Sequence, residues 1–148
     1  MDAVSNRIRG LLIALIIARA SFSWWIISAT ILGHMDQHGT LGLSNEYTLA
    51  LMGLEITHLV TWIIYVSCYT LTAVLVYLGK ALSVPVVIVA VALDIGLWIL
   101  TTSDPEIFHI SQVAGASWAG IRDLAFNLAA VLTVGGVLML KQRGVLSR

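Results

Sequence analysis

Four separate runs of apolar residues, at about 8–33, 48–78, 82–102 and 118–140, leave this chain little choice of environment. Each reaches the ~20 residues that a helix needs to cross the hydrocarbon of a bilayer. In lipid every backbone N–H and C=O must be satisfied within the protein, which permits helices or closed barrels and nothing irregular. Runs of this length read as helices. They fill most of the 148 residues, so a separate soluble domain has no room. The expected fold is therefore an all-α, integral-membrane four-helix bundle, a single multi-pass domain over 1–148 in the plasma (inner) membrane. A composition of 59% hydrophobic and 11% charged residues agrees, and excludes an ordinary soluble domain.

The placement of charge predicts orientation. Arg7 and Arg9 precede the first run, Lys80 sits between the second and third, and Lys141, Arg143 and Arg148 follow the fourth. The connections 34–47 and 103–117 hold no Lys or Arg. By the positive-inside rule both termini and the Lys80 turn are cytoplasmic, an N-in/C-in topology with a long outer loop between helices three and four. Eight basic residues balance eight acidic ones, so net charge points to no partner, and no basic patch suits nucleic acid. Cys68 stands alone and excludes a disulfide within the chain.

Arg7, Arg9, the following apolar run and Ala18-Arg19-Ala20 resemble a secretory signal with its cleavage site. The apolar character continues past Trp24 and Trp25 to Ile31, so the expectation is an uncleaved first span with Arg19 deep in the membrane. A snorkelling Arg19 that merely thins the bilayer is the bland reading. An inward-facing Arg19 with a carboxylate partner is the sharper one.

The second run carries the pattern around which the others are read. Glu55, His58, Trp62, Tyr65, Tyr69 and Thr72 recur at three- and four-residue steps, a single helical seam on an otherwise greasy segment. Ionisable groups inside the hydrocarbon are costly, so they pair, line a cavity or do chemistry. Glu55-x-x-His58 is half of a carboxylate-bridged di-metal motif, but the full motif calls for four glutamates and the chain has three. In the third run Asp94 interrupts a smooth β-branched stretch, with Trp98 four residues on. Its structural reading is a buried pair with Arg19 or Arg122. The fourth run opens with Arg122, Asp123 and Asn127. Between them, the 103–112 connection holds Ile107, Phe108 and Ile110, candidates for a lid at the interface. In the first outer connection, His34 and His38 share a face if helical, a weak metal site needing further ligands such as Glu46 or His109.

Counted at 1.5 Å per residue, Glu55 and His58 lie about 10 to 15 Å below the outer surface, Asp94 about 12 Å, and Asp123 and Asn127 about 8 to 14 Å. The expectation is one polar layer in the outer half, built by all four helices, above an apolar inner half. Such a layer suits acid–base chemistry (isomerisation, cyclisation or hydrolysis) on a lipophilic isoprenoid-, sterol- or lipid-like substrate, without a cofactor. Glu55, His58, Asp94 and Asp123 are the candidate catalytic groups. Arg19, Trp62, Tyr65, Trp98, Arg122 and Asn127 are the candidate substrate-binding groups, with aromatic faces to cradle apolar carbon or a developing cation. A salt-bridge network that only fixes helix register is the structural alternative. Two other functional classes use the same residues. One is an oxidoreductase anchor with b-type haem on His58 or a quinone site, and the other a homo-oligomeric proton-coupled transporter with Glu55 or Asp94 as carrier.

Overall fold

A computed structural model of the chain describes residues 3–37, 41, 42, 49, 51–103 and 119–147, with 101–103 and 119–123 as backbone only. Four helices carry the fold: α1 (Ala3–His34), α2 (Ile56–Tyr77), α3 (Ser83–Ser103) and α4 (Ala119–Gln142). All four are long and apolar enough to cross a membrane, as a multi-pass protein requires. They form a square in which α1 packs on α2 and α4, and α3 on the same two. Helix α1 runs unbroken through Ala18 to Ala20. Its 32 residues make it about 48 Å long, so it outreaches the ~30 Å hydrocarbon core.

The helix ends explain why the chain turns where it does. After α2, Gly79 takes a φ of +69°, its N–H bonds Val76 O at 3.1 Å and the Lys80 N–H bonds Leu75 O at 2.8 Å. This Schellman closure satisfies carbonyls that a helix end leaves open, and its left-handed residue favours glycine. A side chain there would also crowd the Val145 carbonyl, 3.3 Å from the position of a Cβ. The same closure ends α4 at Gly144. It ends α1 at Asp36, with φ +58°, a residue type that tolerates this region. The helix that was to put His34 and His38 on one face therefore stops at His34, which is exposed, and His38 lies outside the described residues.

The termini of the bundle meet at one end. Arg9 donates from Nε to Val76 O at 3.0 Å and from Nη2 to Tyr77 O, so it caps α2 from α1. A cation against the last carbonyls also suits the helix dipole. Residues 145–147 fold onto the α2–α3 turn, where Ser147 N–H bonds Gly79 O at 2.8 Å and Ala81 N–H bonds Ser147 O at 2.7 Å. Arg7, Arg9, Lys80, Lys141 and Arg143 therefore share this end, the distribution that the charge pattern predicted.

Most of the buried core also lies towards the basic end. Ile16, Val66, Tyr69, Val76, Val87, Val137 and Leu140 are each sealed from solvent. Polar groups here are satisfied locally: Thr72 donates to Cys68 O at 2.8 Å and Thr133 to Ala129 O at 2.7 Å. Helices α1 and α4 approach closely at Gly136, where an added Cβ would lie 2.9 Å from Leu12 Cδ1. Small residues allow such approaches between membrane helices. Gly136→Leu is expected to cost about 1 to 3 kcal/mol through overpacking, much of it recovered by Leu12→Ala. Thermal unfolding in detergent checks this; a Gly136→Leu protein that melts with the native one would contradict the close packing.

Candidate functional site

The inward seam of α2 is the one that its periodicity predicts. Thr72, Tyr69 and Tyr65 are buried, Trp62 and His58 half-buried, and Glu55 exposed, a gradient that loosens away from the basic end. Glu55 departs from expectation for a local reason. The apolar run begins near residue 48, but the helix begins only at Ile56, after a break at Gly53 and Leu54. Glu55 is therefore the residue preceding the helix, exposed, with Thr57 Oγ1 donating to its Oε2 at 3.1 Å. It is not carried on the apolar helix itself. Hydropathy cannot show this break, because glycine and leucine read as apolar in any conformation.

The charged centre is built instead around Arg19. Its guanidinium touches all three other helices. Nη2 is ion-paired with Asp94 Oδ2 on α3, and Nη1 donates to the Phe126 carbonyl on α4 at 2.9 Å. The guanidinium carbon stands 5.0 Å from the ring centroid of Tyr69 on α2 and 5.0 Å from that of Phe126, a cation–π sandwich. Tyr69 Oη also donates to Asp94 Oδ2, at 3.2 Å. Tyr65 stands edge-on to Tyr69 at 6.1 Å, with Ser23 and Trp62 beside its hydroxyl. Of the two partners that the sequence offered Asp94, the structure shows Arg19; the Arg122 side chain lies outside the described residues.

Exposure differs across the pair. The Arg19 side chain is 7% exposed and that of Asp94 17%, so the guanidinium is sealed while the carboxylate keeps an approach. Among the described residues, three buried side-chain nitrogens make no hydrogen bond, Arg19 Nε, His58 Nδ1 and Trp62 Nε1, the last on a residue that stands beside the Tyr65 hydroxyl. Unsatisfied buried groups are costly, which makes them informative. His58 and Trp62 are one turn apart on the seam that continues to Tyr65 and Tyr69.

Asp94 is 11 residues from the start of α3 and 9 from its end, about 16 and 14 Å respectively, near the middle of the helix. His58 lies 11 residues from Tyr69 along α2, about 16 Å, too far to share a reacting atom with Asp94. Arg19, Tyr69 and Asp94 form one centre, and His58 stands apart from it. Trp98 is 44% exposed on α3 and Asn127 is exposed on α4, so neither joins the cluster. The inward stripe of α4 runs through Ala130, Thr133, Val137 and Leu140, all buried. Phe126 continues it and Asn127 falls about 100° away. The Asp123 side chain, Glu46, His109 and the expected lid with Ile107, Phe108 and Ile110 lie outside the described residues. Among the described residues, no three His, Cys, Asp or Glu side chains cluster as metal ligands.

Two participants, Tyr69 and Phe126, are not among the candidate residues that the sequence offers. Tyr69 was on the seam, one turn beyond Tyr65, and its position there was the available signal. Phe126 contributes a backbone carbonyl and a ring face, for which an apolar residue on an apolar helix gives no warning. No family model matches the chain, and no curated protein or solved structure matches it.

Proposed function

We propose that the bundle binds a lipophilic molecule carrying a polar head and performs proton-transfer chemistry on it at Asp94, as a membrane-embedded isomerase or an enzyme of related class. The observation that carries this reading is the Asp94 carboxylate, held by Arg19 and Tyr69 with its side chain still 17% exposed, near a seam with unpaired His58 and Trp62 atoms. A bundle that needed only a structural pair has no use for two further buried polar atoms left unpaired, because each costs stability.

Roles follow from geometry. Trp62 Nε1–H donates to an oxygen of the ligand and His58 Nδ1 bonds its polar head, while the rings of Tyr65 and Trp62 face its apolar carbon. An isomerisation removes one proton and returns one. Asp94 Oδ accepts the first and, once protonated, gives it back at the second position, with the Tyr69 hydroxyl as relay. Arg19 is the positioning residue: fixed from three sides, it holds the carboxylate in one place. Glu55, exposed at the start of α2, is outside this scheme.

Extraction of the purified protein with organic solvent, followed by mass spectrometry, tests the binding half. A lipophilic compound is expected with the native protein. His58→Phe and Trp62→Phe, which keep bulk and remove the polar atom, should each retain roughly tenfold less of it, the equivalent of one hydrogen bond. A native extract with no compound that these variants lose would end the assignment.

A further inference from the structure

On the opposite side of α2 from α3, a groove of about 320 Å³ runs between α1 and α2, lined by Ile13, Ile17, Ala20, Trp24, Ala73 and Tyr77 among others. Its floor is made of small residues: Ala20 and Ala73 are each only 5% exposed. Its rims are apolar and face outward, with Ile17 at 50% and Val74 at 48% exposure. Trp24 closes one end, its Nε1 donating to Thr70 Oγ1 at 3.2 Å. From Ile13 to Trp24 the groove follows 11 residues of α1, about 16 Å, close to half of the ~30 Å hydrocarbon thickness and so to the depth of one leaflet.

The other end is charged. Arg9 lies one turn before Ile13 on the same stripe of α1, and its Nη2 bonds the carbonyl of Tyr77, which lines the groove. A guanidinium has five N–H donors; Nε and Nη2 of Arg9 are turned to Val76 and Tyr77, and the side chain is half-buried, so donors remain on its open side. Exposed Arg7 and Lys80 lie at the same end of the bundle. We propose that this groove is a site for an anionic phospholipid, one acyl chain lying over Ala20 and Ala73 and the phosphate against Arg9. Basic residues at the mouth of a cleft between membrane helices recognise phosphate head groups in this way. The charge at the mouth selects this occupant over a second copy of the chain, which would bring its own Arg7, Arg9 and Lys80 to the contact. The inference is independent of the Arg19–Asp94 centre.

The test is native mass spectrometry of the full chain released from nanodiscs of equal phosphatidylglycerol and phosphatidylcholine content. Phosphatidylglycerol adducts are expected to dominate. Arg9→Gln should reduce them ~5-fold, Arg9→Lys should keep most of them, and Ser21→Leu, which fills the groove from its exposed edge, should remove them without changing helix content by circular dichroism. Equal retention of both lipids, or Arg9→Gln and Ser21→Leu proteins that hold phosphatidylglycerol like the native chain, would overturn the proposal. So would a disulfide-linked dimer of Ser21→Cys in a Cys68→Ala background, because it would show a second copy in the groove.

Discussion

Asp94→Asn is expected to destabilise the bundle by about 3 to 5 kcal/mol, because it strands the sealed Arg19 guanidinium without its counter-charge. Arg19→Met should cost a similar amount by stranding Asp94, somewhat less because the carboxylate is the more exposed partner. The double variant Arg19→Met/Asp94→Leu should recover most of the loss, since apolar packing often matches or exceeds a buried ion pair. The magnitudes separate this from ordinary polar contacts: single hydrogen bonds between membrane helices average ~0.6 kcal/mol. Thermal unfolding of these proteins in one detergent, with Asp94→Leu alone as the second single variant, closes the cycle. If Asp94→Asn melts with the native protein, the pair is not the link between α1 and α3 that its geometry indicates.

Tyr69→Phe should separate stability from chemistry at the same centre. The variant keeps the ring that stacks on Arg19 and removes one hydrogen bond to Asp94, so the stability loss is expected near the ~0.6 kcal/mol average for such bonds. If Tyr69 relays the proton that Asp94 takes and returns, turnover of the compound recovered from the native protein should fall by about 10²- to 10⁴-fold, the usual contribution of a positioned acid or base. KM should stay near its native value, because Tyr69 lies beyond the His58–Trp62 approach. A stable Tyr69→Phe protein with native turnover would remove Tyr69 from the reaction. The Arg19→Met/Asp94→Leu protein provides the complementary case, folded but inactive if the pair does chemistry and unaltered in function if it only fixes helix register.

Much of this was legible in the residues, for identifiable reasons. Run length against membrane thickness predicted four helices long enough to span a bilayer, and Arg7, Arg9, Lys80, Lys141 and Arg143 do gather at one end of the bundle. The spacing of Trp62, Tyr65, Tyr69 and Thr72 marked the inward face of α2, and the cost of a lone mid-span charge tied Asp94 to an arginine. Each of these depends on composition and period, which survive any arrangement of the helices.

What the tertiary structure alone decided concerns relative placement. The late start of α2 at Ile56 left Glu55 off the helix, and nothing in the hydropathy of 48–55 distinguishes a helix from a break. The rotation of α3 and α4 about their axes turned Trp98 and Asn127 outward and brought the Phe126 carbonyl to Arg19. Rotation is set by how neighbouring side chains interlock, a property of pairs of helices that no single helix encodes. The choice of Arg19 as the partner of Asp94 is of the same kind. The chain itself determined that charges would be buried and must be paired; the packing of four helices determined which ones meet, and at what depth.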